Sequence, residues 1–189
     1  MKNLFFLVIA TFLIGGCAYK NEAVDLSSYH MQNAGVTSQN HTNIYLAPVL
    51  DARENKTSIG YVQADKKTVT QLYSYTDFAS KYQEGLNNAL KAAQFNVEKE
   101  ATPDALHVDV KIKKIELVYN DTNKLDENLH GKIIMEVTTT RQDQIVTQTF
   151  TQEQGIWIKP SYNSKDVEPL LYKLFEGSIN DIVAKLSRF

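Results

Sequence analysis

Asp51 and Arg53 are the two side chains whose types and spacing could bind a ligand. They flank Ala52 directly after the strand predicted at residues 44–50. A guanidinium makes paired hydrogen bonds to a carboxylate or a phosphate, so this pair is our candidate interaction site. The alternative is a surface ion pair or an aspartate that stabilises a turn, and both roles are common for such residues.

The histidines and carboxylates do not form a recognisable catalytic or metal-binding pattern. No HxxxH or HxH pair occurs, and no carboxylate recurs beside a histidine at ligand spacing. The sequence also lacks GxSxG, Walker and GxGxxG motifs. We therefore expect no catalytic residue, no cofactor-binding residue and no metal site, and hence no enzyme. The four histidines are expected to be exposed or hydrogen-bonded: His30, His41, His107 and His130.

Cys17 is the only cysteine, and one thiol cannot form an internal disulfide or a zinc site. It follows an apolar run at residues 4–14 and the small residues Gly15 and Gly16. The run is short for a membrane span, and the segment resembles a bacterial lipoprotein signal peptide with a lipobox. This resemblance implies cleavage before Cys17 and its lipidation by palmitate-type acyl chains. An ordinary secretory signal or an anchor helix is the alternative.

These features divide the chain of 189 residues into three parts. Residues 1–16 form the predicted signal peptide, residues 17–42 the acylated cysteine and a polar tether, and residues 43–189 a single α+β domain. Ala18 follows the cysteine, which in the enterobacterial sorting rule favours the outer membrane, with the domain facing the periplasm. A net charge of −2 gives no reason to expect nucleic acid as a partner.

Hydrophobic periodicity predicts strands, a helix, three longer strands and a last helix. Residues 106–112 alternate apolar and polar side chains, and the phase flips near Lys113, which predicts one strand with a β-bulge. Asp77 is the predicted N-cap of the first helix, and Ser164 or Asp166 that of the last. This order predicts an α+β fold, with a mostly antiparallel sheet packed on one face by two amphipathic helices.

The layout resembles the YajG family of bacterial outer-membrane lipoproteins over most of residues 44–187. The matching pieces are Asp51-Ala52-Arg53, Ile59-Gly60, the helix before Phe95, the alternating strand and the C-terminal amphipathic helix. The family implies a lipid-anchored domain and supplies no established activity or catalytic residues. A related layout occurs in auxiliary lipoproteins of lipid ABC transporters of the PqiC type, whose N-terminal features are not evident in this sequence.

From these patterns we expect a non-enzymatic envelope lipoprotein that binds or assembles a partner in the periplasm. Its partners are then the membrane, through the N-terminal lipid, and an envelope protein of unknown identity. The alternative is an accessory lipoprotein of an envelope lipid ABC-transport complex, which an apolar groove between helices and sheet would favour. An envelope hydrolase is a third hypothesis, and it requires a cleft that holds His107 or His130 against a carboxylate.

Overall fold

The chain forms its strands and helices in the order that its periodicity predicts. The computed structural model describes residues 23–26, 28–30, 41–123, 126–160 and 162–189, so the predicted signal peptide at residues 1–16 and the acylation site Cys17 lie outside the described residues. The α+β class is confirmed. The elements are β1 (Asn43–Leu46), β2 (Leu50–Asp51), β3 (Ser58–Ala64), β4 (Lys67–Tyr73), α1 (Phe78–Ala92), β5 (Asn96–Glu98), β6 (Leu106–Asn120), β7 (Leu129–Arg141), β8 (Gln144–Ile156) and α2 (Ser164–Leu186).

Strand β6 is central to the sheet, because other strands pair with both of its edges. On one edge β1, β2 and β3 lie parallel to it in succession, and on the other edge β7 runs antiparallel to it. The described strands therefore form one mixed sheet, which corrects the mostly antiparallel sheet predicted above. The reason is α1: the chain crosses over through this helix before β6, and such a crossover brings the chain back in the same direction.

The β-bulge predicted in β6 is confirmed. The register with β7 shifts between Ile112, which pairs with Met135, and Lys114, which pairs with Ile134. The extra residue lets Ile115 return to the buried face that Ile112 also occupies. Because the side-chain period of a strand is two, an unbroken register would have turned the second half of the apolar set toward solvent.

Side-chain caps fix the first turn of both helices. Asp77 accepts a hydrogen bond from the Ser80 amide at 3.1 Å, as predicted for α1. The N-cap of α2 is Asn163, one residue before the predicted Ser164. Asp166 completes a capping box, since its carboxylate accepts from the Asn163 amide at 2.8 Å. The correction is small because asparagine, serine and aspartate all cap helices by the same hydrogen bond.

Both helices lie on one face of the sheet and bury their apolar stripes there. Leu86 of α1 and Leu174 of α2 are fully buried. Gly85 allows close packing, because a Cβ at this position would lie 2.9 Å from the Ile179 side chain. On the other face, the side chains of β6 and β7 are partly exposed and mostly polar. Neither described helix has an apolar stretch long enough to cross a membrane.

Part of the predicted tether packs on the domain. Residues 23–26 and 28–30, here termed the docked segment, run beside the end of β4, where the Val24 amide donates to the Tyr73 carbonyl at 2.8 Å. Three of its side chains are buried: Val24, Leu26 and Tyr29. The tether prediction is therefore corrected for these residues. Their apolar side chains are few, but they reach a sheet edge and the gap between the helices, where burial stabilises the contact.

Candidate functional site

The structure brings Asp51 and Arg53 together in a paired ionic contact. Arg53 Nε donates to Asp51 Oδ1 at 2.9 Å, and Arg53 Nη2 donates to Asp51 Oδ2 at 2.8 Å. The Arg53 amide also donates to Asp51 Oδ1 at 3.2 Å, which tightens the turn after β2. A spacing of two residues at the end of a strand is therefore enough to form the whole contact, which is why the sequence could indicate it.

The guanidinium of Arg53 is buried, and its remaining contacts also lie within the chain. The Arg53 side chain is only 4% exposed. Nη2 donates to the Lys56 carbonyl at 2.8 Å, Nη1 lies 3.5 Å from the Ser58 carbonyl oxygen, and the guanidinium carbon lies 4.9 Å from the centre of the Phe78 ring. These contacts fasten the loop between β2 and β3 to the start of α1. They support the turn-stabilising role that the sequence left open as an alternative.

The same contact changes the acid–base behaviour of Asp51. Burial alone would raise the pKa of this carboxyl group, but the hydrogen bonds and the charge of Arg53 outweigh that effect. The pKa of Asp51 therefore lies below its ordinary value. The carboxylate is charged at neutral pH, so it serves as the ionic partner of Arg53 and not as a general acid.

The loop between β2 and β3 lines a surface depression of about 510 Å³. It is located where one edge of β6 passes from its pairing with β2 to its pairing with β3. Its lining includes Asn55, Gln71 and the exposed Lys113 of the bulge. Lys114 and Glu116 also line it, and their side chains form an ion pair at 2.9 Å. The depression therefore offers polar groups of mixed charge, with no converging set of one sign.

His107 and His130 lie on the outer face of the sheet, and neither is in a deep cleft. His107 Nε2 lies 2.9 Å from the Thr102 carbonyl oxygen. His130 lines a second depression of about 400 Å³, and its imidazole and the Glu127 carboxylate both lie over Gly155. The His130 and Glu127 side chains are exposed, and His107 is partly exposed. The structure thus places His130 near a carboxylate in an open surface depression and does not enclose the two groups.

The other two histidines lie on the helix side of the molecule. His30 Nδ1 is 3.5 Å from a carboxylate oxygen of Glu84, and His41 Nδ1 is 3.2 Å from the Gln94 carbonyl oxygen. Within the described ranges, no three His, Cys, Asp or Glu side chains come together as a metal site would require. The imidazole of each of these two histidines therefore lies beside a polar group from a distant part of the chain.

One further surface consists of backbone groups, and the pattern of ionisable residues does not indicate it. β8 spans 13 residues, and in the described sheet it pairs with β7 alone. The signal was present in the sequence, as a long run rich in threonine and glutamine in which Glu153 is the only charged residue. Such a run does not form a recognisable catalytic pattern, so it does not indicate a functional site by its residue types.

Comparison with solved structures identifies the fold. The structure is similar to that of protein XCC0632 from Xanthomonas campestris, of the DUF330 family, with a TM-score of 0.51 and 10% identity over 83% of this chain and 90% of that one. It is also similar to the hypothetical protein CT253 from Chlamydia trachomatis, with a TM-score of 0.51 and 9% identity over 78% of this chain and 97% of that one. At such low identities the likeness shows a shared fold alone.

Comparison of sequences identifies the family. No curated protein matches the chain. The Lipoprotein_16 family model, described as an uncharacterized lipoprotein, matches residues 33–185, which include all the described strands and almost all of α2. The resemblance to YajG-type proteins is thereby confirmed at the level of a bacterial lipoprotein family. The chain belongs to the Lipoprotein_16 family of lipoproteins.

Proposed function

We propose that this chain is a lipid-anchored lipoprotein of the outer membrane, whose domain faces the periplasm and binds or assembles an envelope partner without chemistry of its own. Membership of a lipoprotein family supports the anchor. Cys17 is the only residue able to carry a thioether-linked lipid, and it follows an apolar run. Several acyl chains on one cysteine would hold the domain at the membrane far more firmly than one chain.

The docked segment is the single observation that carries this proposal. Five residues, 18–22, separate Cys17 from Ala23, which forms a bridge with Tyr73 at the end of β4. An extended residue spans at most about 3.3–3.6 Å, so a lipid on Cys17 would lie within roughly 20 Å of the domain. The domain would then be presented at the membrane surface in a restricted orientation, which suits a protein that binds partners there.

Acylation and membrane placement are tested on the full chain in a Gram-negative host. Radiolabelled palmitate should enter the wild-type chain and should not enter Cys17→Ser, because serine offers no thiol. Ala18→Asp should still be labelled but should move to inner-membrane fractions, since aspartate after the cysteine retains lipoproteins there by the sorting rule. Incorporation of label into the Cys17→Ser chain, or no incorporation into the wild-type chain, would contradict the proposal that Cys17 carries the lipid anchor.

The binding role is tested by complementation of a deletion strain, with protein levels measured in parallel. His107→Ala and His130→Ala should retain function, because both side chains lie on the outer face of the sheet, where His107 is partly exposed and His130 is exposed. Loss of a catalytic group typically lowers a rate by orders of magnitude. A stably expressed His107→Ala or His130→Ala chain that fails to complement would contradict the proposal and favour an enzyme.

The transport alternative requires an apolar groove between the helices and the sheet. In the structure this space is filled where Leu170 and Leu174 of α2 pack toward Gly131 of β7. A Cβ at Gly131 would lie 2.5 Å from a methyl carbon of Leu174, which shows how closely the two layers approach. The described packing thus favours a surface that binds a partner over an internal site that carries a lipid.

A further inference from the structure

The free edge of β8 is the largest unsatisfied pairing surface of the described sheet. All 13 residues of β8 pair with β7 in an unbroken register, from Leu129 opposite Ile156 to Arg141 opposite Gln144. No other described strand pairs with β8. One whole edge of this strand therefore presents backbone N–H and C=O groups that another strand could use.

The hairpin between β7 and β8 determines which residues face this edge. Its loop has two residues, Gln142 and Asp143, and the residues flanking such a loop form a hydrogen-bonded pair. Hydrogen-bonded and non-hydrogen-bonded pairs then alternate, so the odd-numbered residues of β8 direct their backbone groups away from β7. The hydroxyl oxygens of Thr138 and Thr147 lie 2.9 Å apart, as side chains do in a closely spaced non-hydrogen-bonded pair.

The edge lacks the features by which proteins usually prevent strand addition. Those features are proline, bulges, short length and exposed lysine. β8 is long, contains no proline and no register shift, and carries Glu153 as its only charge. That carboxylate is already paired with Lys132 of β7. The edge is therefore suited to receive a strand.

We propose that a second copy of this chain adds its own β8 to this edge, antiparallel, about a twofold axis at Thr151. In this register Ile145 of one copy lies opposite Trp157 of the other, and these are exposed large apolar side chains, at 69% and 52%. The same register brings Asp143, just before β8, toward Lys159, three residues after it, and these side chains have opposite charges. Lys159 also lies 3.3 Å from Asp166 of its own copy. An isologous interface of this kind is the commonest in homodimers.

Registers with an earlier twofold axis are less complementary. A twofold axis one residue earlier places Ile145 opposite Gly155, so that Ile145 and Trp157 no longer cover each other. An axis two residues earlier places Ile145 opposite Glu153, which leaves an exposed apolar side chain against a carboxylate. A twofold axis centred on a residue always pairs odd-numbered residues with odd-numbered ones. Registers that pair odd with even residues would also leave outward backbone groups unpaired, because only the odd-numbered residues of β8 direct these groups to the free edge. The axis at Thr151 satisfies both charge and burial.

The register is tested by cysteine cross-linking of the full chain in detergent, with Cys17→Ser present in every variant so that the engineered thiol is the only one. Thr151→Cys should form a disulfide-linked dimer on mild oxidation, because the two residues 151 lie directly opposite each other. Thr149→Cys is the matched control: its two copies would be offset by four residues, about 14 Å along the strand, which is too far for a disulfide.

The outcomes separate this proposal from its alternatives. Cross-linking of Thr151→Cys but not of Thr149→Cys supports the proposed register. Equal cross-linking of both variants, or of neither, overturns it. Light scattering gives a second measurement: the chain without engineered cysteines should be a dimer, and Thr151→Pro should be a monomer, because proline removes the outward amide and leaves the pairing with β7 intact. A monomeric parent chain, or a dimeric Thr151→Pro chain, would overturn the proposal, and neither result depends on acylation.

Discussion

The hydroxyl oxygens of Tyr82 and Ser178 lie 2.8 Å apart in the buried interface between α1 and α2. The Ser178 hydroxyl also donates to the Phe175 carbonyl at 2.9 Å. Tyr82 therefore donates to an oxygen that has a second partner of its own. Burial raises the pKa of Tyr82 well above its ordinary value, so its proton stays in this contact.

The first prediction is an unequal cost of removing the two hydroxyls. Tyr82→Phe should lower the free energy of unfolding by about 1 kcal/mol, since Ser178 keeps its bond to the Phe175 carbonyl. Ser178→Ala should cost about 2 kcal/mol, because it leaves the buried tyrosine hydroxyl without its acceptor. The double variant should resemble Tyr82→Phe in urea unfolding. A double variant whose cost equals the sum of the two would show that the groups are not coupled.

The second prediction compares two glycine-to-alanine changes. A Cβ at Gly60 would lie 1.9 Å from the Leu117 carbonyl oxygen of β6, so Gly60→Ala must separate β3 from β6. Its cost should reach about 3 kcal/mol, the upper range for overpacked positions. A Cβ at Gly177 of α2 would lie 3.0 Å from the end of the Gln152 side chain, which can shift by a few tenths of an ångström. Gly177→Ala should therefore gain up to about 1 kcal/mol from helix propensity. Equal melting temperatures for the two variants would contradict this difference.

The third prediction concerns the docked segment. Leu26 is fully buried, so Leu26→Ala should lower the free energy of unfolding by about 2–5 kcal/mol. The matched control is His30→Ala in the same segment, where the side chain is 67% exposed and the change should stay within about 0.5 kcal/mol. If denaturant unfolding gives the same stability for both variants, the segment is a free tether after all.

The fourth prediction concerns Arg53. Arg53→Met should lower the free energy of unfolding by about 3 kcal/mol, because it leaves the Asp51 carboxylate without its cation and frees the loop from α1. Arg188→Met, at an exposed position near the C-terminus, should change stability by no more than about 0.5 kcal/mol. Equal melting temperatures for the two variants would show that Arg53 does not stabilise the fold. Arg53 would then again be a candidate ligand-binding residue.

The fifth prediction is a pH dependence with a definite sign. The pKa of Asp51 is lower in the folded chain than the ordinary value of about 3.9, so the unfolded chain binds more protons between these two values. The stabilisation is therefore complete above about pH 4 and is lost as the pH falls through the folded pKa. The difference in unfolding free energy between wild type and Asp51→Asn should shrink below about pH 4. If the difference in unfolding free energy stays constant from neutral pH to about pH 3, the pKa of Asp51 is not lowered in the folded chain.

Local sequence patterns predicted the parts of the fold that depend on neighbouring residues. The alternation in β6 and its change of phase near Lys113 predicted both the strand and the bulge, because the side-chain period of a strand is fixed. Asp77 predicted the start of α1 for an equally local reason. The direction in which β1 and β3 pair with β6 could not be predicted in this way, since it depends on the path of the chain through α1.

At the candidate site, too, contacts between neighbouring residues were predictable and contacts between distant residues were not. The spacing of Asp51 and Arg53 indicated their ion pair, which forms within one turn. The burial of Arg53 was not predictable, because the Phe78 ring that covers it belongs to a helix whose position depends on the whole core. Val24 and Leu26 were also missed, since two apolar residues in a polar stretch show no periodicity until a sheet edge is available to them.

The parallel pairing of β1, β2 and β3 with β6 has a kinetic consequence. Ile44 must find Leu106, and Gly60 must find Leu117, across long stretches of chain, whereas β6, β7 and β8 are joined by short connections. Closing long loops is entropically costly, so non-local pairings slow folding. The meander of β6, β7 and β8 should then form early and act as the template, and the strands synthesised first should be the last to gain their partners.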